Sequence, residues 1–355
     1  MVDKTNYDLF LTSYHNALKS LTEGNLKRAH RYVLKAMDYH HLYLDETEGL
    51  ERLKGVKFSK SIHALEANLC QKLNSINVLS KKVESDDILT GIAGQQMVKD
   101  ELRRLVIYPQ LYPDLYVKFK KHSGGGILLY GVPGTGKTRI AQQVAKELDC
   151  HFMELKCSNV ISKWFGDTEK NLKEIFKEAR SHDKTIIFFD EFEALGAVRG
   201  KETNSPIGRV VSELLSQMQG FEENSNIIFM AATNRPWDVD PAFLRPGRFN
   251  SIIMVDLPDR NARREIVESE LDPSMLASDF NIDKVVELTE GFSAADMVEF
   301  CERLKDLAIW RIIKTKTDSL IGEADILTIK GNLNTSVNAH ELKRIRDYKA
   351  THLMN

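Results

Sequence analysis

The sequence predicts an α/β fold: a doubly wound parallel sheet, with a helical region after it and an all-helical domain before it. Three observations predict this. Five nearly continuous apolar runs alternate with helical segments between residues 127 and 255, the pattern of parallel strands buried on both faces. A glycine-rich turn, Gly131-Val132-Pro133-Gly134-Thr135-Gly136-Lys137-Thr138, joins the first run to a helix. The flanking regions carry their apolar residues at helical spacing instead.

The strand runs are Ile127–Tyr130, Phe152–Leu155, Ile186–Phe189, Ile227–Ala231 and Ile252–Val255. Before them, residues 1–82 contain no proline. Phe10, Tyr14, Ala17, Leu18 and Leu21 mark one helix, and Leu26, Ala29, Val33, Ala36 and His40 form the stripe of a second, after a Glu23-Gly24-Asn25 break. A third helix is expected over much of 47–76. Packed antiparallel helices are the natural arrangement. The polar stretch Ser80–Asp87 reads as a linker, bounded at 83–89. The expected division is therefore 1–82 helical, 83–89 linker, 90–258 sheet domain and 259–355 helical.

Composition narrows the function classes. The 355 residues carry a net charge of -2, which disfavours a general nucleic-acid binder. No stretch approaches a membrane span and the first residues are polar, so a soluble, cytoplasmic protein is expected. The four cysteines, Cys70, Cys150, Cys157 and Cys301, form no CxxC pair and suit a reducing compartment. His40-His41 lacks a useful metal-ligand spacing and is expected to be solvated. His340-Glu341 has no second histidine four residues after the first, so the zinc-protease class is set aside.

The chemistry lies in four segments. Gly131-x-x-x-x-Gly136-Lys137-Thr138 after a strand and before a helix is the P-loop context. Its glycines let backbone N–H groups turn toward phosphate oxygens, and the helix N-terminus adds partial positive charge. Lys137 is expected to reach the β- and γ-phosphates of ATP, and Thr138 to bind Mg²⁺. Asp190 and Glu191 end a buried strand at the ligand-binding edge of such a sheet. Asp190 suits the metal, and Glu191 suits the base that polarises the attacking water. Asn234 ends the next strand, where its amide can hold that water or the γ-phosphate. Arg245 and Arg248 flank a Pro246-Gly247 turn, and a guanidinium suits the charge on a transferring phosphoryl group.

Together these residues resemble the AAA family of AAA+ ring ATPases, in its classic AAA clade, from about Asp87 to about Glu299. The resemblance includes Walker A, Walker B, sensor 1 at Asn234, Ile92-Ala93-Gly94, Arg-Pro-Gly-Arg-Phe, and Gly291-Phe292-Ser293-Ala294-Ala295-Asp296. It implies an ATPase with ATP and Mg²⁺, in which helical residues 259–355 form a lid and Ile92, Ala294 and Ala295 also contact the nucleotide. It implies that Arg245 and Arg248 act in trans on a neighbouring subunit's ATP, within a homo-oligomeric ring, most often a hexamer. Lys163-Trp164-Phe165-Gly166 resembles the pore loop of substrate-threading members, in the form seen in katanin and spastin. The arginine segment looks more like that of the proteasomal ATPases. Val132, Glu193 and Glu270 depart from the family's usual proline, aspartate and histidine.

Two function classes follow. One is ATP-driven threading or remodelling of a protein substrate through a central pore. The other is an ATP-dependent assembly scaffold or switch. Residues 1–82, loosely similar to an MIT or TPR-like module, are the expected docking site for a protein substrate or adaptor.

Overall fold

The computed structural model describes residues 4–22, 24–45, 59–74, 89–119, 125–159, 168–196, 206–218, 226–245 and 247–352. The chain divides into two compact units, residues 1–88 with 107–123, and residues 89–106 with 124–355.

In the first unit, α1 (Lys4–Thr22) and α2 (Leu26–Asp45) form an antiparallel pair, and residues 59–74 form a third helix, α3. Residues 47–58 and 75–76 of the expected third helix lie outside the described residues. The helical stripe read from the sequence is the buried one: Phe10, Ala17, Ala29, Val33 and Ala36 pack with Ile62 and Leu69. Two side chains depart from expectation. Leu18 is 41% exposed, because it lies about 100° around the helix from Ala17. His40 is not solvated but buried, its ring edge-on to Phe10 at 4.9 Å. It sits four residues after Ala36 and so continues the buried stripe, whereas His41 is exposed.

The second unit is built on a five-stranded parallel sheet, β1 (Ile127–Tyr130), β2 (His151–Lys156), β3 (Thr185–Asp190), β4 (Ile227–Thr233) and β5 (Ser251–Met254), in the order β2-β3-β4-β1-β5. All five strands match the apolar runs. Every residue of β1 is buried, as is β3 up to Phe189, because helices cover both faces. These are α4 (Lys137–Leu148), α5 (Thr168–Ser181) and α6 (Pro206–Met218). The strand order places β1 beside β4, and β4 beside β3. The turns leaving these three strands therefore share one sheet edge.

Aromatic packing fixes the turns. Phe192 is fully buried and meets Phe243 and Phe249 edge-on, at 4.8 and 4.9 Å between centroids. Such pairs contribute roughly 0.5–1.5 kcal/mol beyond burial. One cluster thus anchors both the turn after β3 and the turn before β5.

The lid comprises α7 (Arg260–Glu270), α8 (Ile282–Leu288), α9 (Ala294–Thr315) and α10 (Glu323–Asn332), around Phe292, Met297, Phe300 and Leu304. Ser293 starts α9 with a capping box: its side chain accepts from Asp296 N, and Asp296 accepts from Ser293 N at 2.8 Å. The last helix, α11 (Ala339–His352), leaves the lid core. Its Ile345 packs with Tyr130 and Val132, Tyr348 meets Tyr130 edge-on at 5.4 Å, and Arg344 lies 3.8 Å over the Trp237 ring. Among the described residues no helix is long and apolar enough to cross a membrane.

Candidate functional site

The turn from β1 into α4 is built by glycine. Gly134 and Gly136 have φ of 77° and 88°, conformations that L side chains rarely adopt. At Gly134 a Cβ would also stand 2.7 Å from Ser293 Oγ, so the lid leaves room for hydrogen alone. The lid closes on this turn directly, since Ala295 N donates to Gly134 O at 3.0 Å. Beside the turn lies a cavity of about 360 Å³ lined by Gly91, Ile92, Thr135, Gly136, Ile140 and Ala294. Two residues assigned to the nucleotide, Ile92 and Ala294, therefore share one cavity with the turn. Glu270 is directed elsewhere and pairs with Lys305 of α9 at 3.8 Å.

Lys137 is buried, and its Nζ donates to Gly131 O and Val132 O, each at 3.0 Å. Burial pushes its pKa from 10.5 down to about 8, against the opposing pull of the Glu193 and Asp190 carboxylates. A lysine depressed in this way penalises the folded state wherever the unfolded lysine is charged. The penalty is full below pH 8 and vanishes as pH rises to about 10.5. Its size is of order 3 kcal/mol, at about 1.4 kcal/mol per pH unit. Nucleotide-free wild type is therefore expected to gain stability between pH 8 and 10.5 relative to Lys137→Met. Urea melts of both proteins across that range check this, and parallel pH slopes would contradict the depressed lysine.

At the end of β3, Asp190 is half-buried and Glu191 exposed. Asp190 Oδ1 accepts from Glu191 N at 2.9 Å. Glu191 is left-handed, with φ 52° and ψ 44°. For a non-glycine residue that costs about 1–3 kcal/mol and is found mainly at functional sites. Phe192, locked in the aromatic cluster, holds the turn in place.

At the end of β4, Asn234 N donates weakly to Glu193 Oε1 at 3.4 Å. Among the described residues, Asn234 Oδ1 and Glu193 Oε2 are both buried and find no hydrogen-bond partner. An unsatisfied buried oxygen costs about 1–3 kcal/mol, so both are poised for a polar partner. Glu193 is a site residue that the sequence singled out only as a family departure. Its charge acting on Lys137 appears only once β3 and β1 take their places on either side of β4.

The arginines lie elsewhere. Arg245 is exposed, and Arg248 is half-buried with Nη1 donating to Ala242 O at 2.7 Å. Arg248 O accepts from Gly126 N, just before β1 begins. The backbone of this loop thus meets the N-terminal end of β1, opposite the phosphate turn, about four strand residues or ~13 Å away. Pro246 lies outside the described residues, as do Lys163, Trp164, Phe165 and Gly166.

The donor set fits a magnesium nucleotide. Thr138 and Asp190 supply hard oxygen donors, Lys137 a buried cation, and the α4 N-terminus its N–H groups. Residues 127–257 match the family model described as ATPase family associated with various cellular activities (AAA), and residues 279–322 match the AAA+ lid domain. Protein SAV of Sulfolobus acidocaldarius is 38% identical over 276 residues, which cover 76% of this chain and 35% of that protein. The chain thus spans about a third of the length of this curated relative.

Proposed function

This chain belongs to the AAA+ ATPases, and from that premise we propose that it hydrolyses ATP within a homo-oligomeric ring, most simply a hexamer, and couples hydrolysis to remodelling a protein drawn through the ring. The observation that carries the hydrolytic reading is the shared sheet edge. It holds a buried lysine in a glycine turn, a carboxylate pair at the end of β3, and an unsatisfied asparagine at the end of β4.

The roles follow from chemistry. Lys137 and the N–H groups of the turn hold the β- and γ-phosphates. Thr138 and Asp190 hold Mg²⁺, which neutralises phosphate charge when bound. Glu191 polarises the attacking water, and its constrained backbone aims the carboxylate without cost at the moment of reaction. Asn234 orients that water or the γ-phosphate. Ile92, Ala294 and Ala295 contact the remainder of the nucleotide, so the lid senses whether the site is filled.

Arg245 and Arg248 act on the neighbouring subunit's ATP. The position of their loop, at the far end of β1 from its own phosphate turn, supports this arrangement. A head-to-tail interface that closes by rotation gives the ring. Hydrolysis then depends on assembly. The helices of residues 1–82 recruit a protein substrate or adaptor, and the domain limits are those read from the sequence. Four free cysteines are compatible with a reducing cytoplasm.

The pore assignment rests on Lys163-Trp164-Phe165-Gly166, where a large flat side chain can grip an extended peptide without reading its sequence. Trp164→Ala is expected to keep ATPase turnover within about twofold of wild type, since the change touches none of the residues assigned to the nucleotide. It should abolish unfolding of a tagged fluorescent substrate. Remodelling at the wild-type rate would favour the scaffold or switch reading instead.

A further inference from the structure

One side-chain cluster lies in the N-terminal helical unit, apart from the nucleotide chemistry. His30 of α2 faces Glu66 and Cys70 of α3. The three ligand atoms form a closed triangle: His30 Nε2 to Glu66 Oε1 is 3.4 Å, Cys70 Sγ to His30 Nε2 is 3.2 Å, and Cys70 Sγ to Glu66 Oε1 is 3.0 Å. All three residues are half-buried. Glu66 and Cys70 are four residues apart on one helix, so they share a face. The stripe that buries Ala29 and Val33 brings His30 against that face from the other helix.

From this geometry we propose that His30, Glu66 and Cys70 form a binding site for a zinc-class divalent cation that staples α2 to α3. Imidazole, carboxylate and thiolate are the ligands this cation takes. Bond lengths of about 2.0–2.1 Å to nitrogen and oxygen and about 2.3 Å to sulfur imply tetrahedral edges of roughly 3.3–3.5 Å. The observed triangle differs from one tetrahedral face by at most about half an ångström. Seating the ion needs only small side-chain shifts. The thiol proton leaves to solvent as the sulfur–metal bond forms. Three protein ligands leave the fourth position to a water molecule or to a ligand from a docked partner.

The cation's effect is mechanical. The core shared by α1, α2 and α3 is small, a cluster of seven buried apolar side chains among the described residues. Small modules gain disproportionately from a staple. Binding to the folded form alone stabilises it by mass action, and it fixes the register of α3 on α2.

Cobalt(II) titration of the full-length, metal-stripped protein tests the site. Tetrahedral cobalt on a thiolate gives a sulfur-to-metal charge-transfer band in the near ultraviolet together with intense visible d–d bands. Wild type should show both at one equivalent, and zinc should bleach them. Cys70→Ser should lose the charge-transfer band while retaining its circular-dichroism helix signal. His30→Ala and Glu66→Gln should each bind roughly a hundredfold more weakly, about a quarter of a four-ligand zinc site's free energy being lost.

The exposed cluster His151, Glu178 and His182 on the ATPase unit contains no sulfur, so it cannot produce the band. Absence of a charge-transfer band in folded wild type, or its persistence in folded Cys70→Ser, overturns the proposal. In either case the triangle is a hydrogen-bonded contact and not a metal site.

Discussion

Replacing Lys137 with alanine is expected to remove ATP binding and, with it, turnover. The side chain is the buried cation of the phosphate turn, and its Nζ already sits among inward-facing oxygens of that turn. Truncating one member of a buried charge pair costs about 2–5 kcal/mol, a roughly 30- to several-thousand-fold loss of affinity. The fold should survive the change. Burial disfavours the charged lysine in the nucleotide-free protein, so removing it relieves that penalty and the melting temperature should not fall. Titration with a fluorescent ATP analogue, alongside thermal melts, separates the two effects. Wild-type affinity in a folded variant would remove Lys137 from the cradle.

Glu191→Gln is expected to give the opposite split, with binding kept and hydrolysis lost. The amide is nearly isosteric but cannot accept the water's proton. General-base assistance is worth about 10²–10⁴ in rate, so turnover should fall by that factor with ATP affinity nearly unchanged. The variant should also hold the ring together, because ATP remains in place. Phosphate release in single turnover and mass photometry with ATP give the two readouts. Turnover within a few-fold of wild type would reassign the base. The left-handed backbone supplies a further check. Glu191→Gly relieves the strain and should raise stability slightly, yet it should lose activity as fully as the glutamine variant.

The sheet and phosphate turn were legible because both depend on local pattern. Parallel strands covered on both faces must be apolar at nearly every position, so β1 and β3 stood out as Ile127–Tyr130 and Ile186–Phe189. The turn needs glycine where φ is positive, so Gly134 and Gly136 marked its shape as well as its chemistry. Features made by long-range pairing were not legible. Glu193 acts on Lys137 only because β4 alone separates β3 from β1 in the sheet. The triangle of His30, Glu66 and Cys70 needs two helices in register, and cysteine spacing carries no trace of it. The left-handed φ of Glu191 lies directly before the buried Phe192, and no residue preference signals it. His40 shows the reverse error: its residue type suggested solvent, while its place in the stripe dictated burial.

The return of α11 to the sheet constrains the lid. The lid leaves the sheet after β5 through residues 255–259. It comes back through Thr335 and Ser336, which hydrogen-bond to Gly291 O and Asp296 beside the start of α9. The chain then docks on Tyr130 and Trp237. A body fastened at one point can swing in any direction, whereas one fastened at two points turns only about the line between them. The lid is thus a hinged door and not a tethered flap. The Gly134–Ala295 hydrogen bond acts as its latch. Opening that latch turns the lid about a line that passes through the α11 seat, so nucleotide release is felt as a torque on the helix that carries Ile345 and Tyr348.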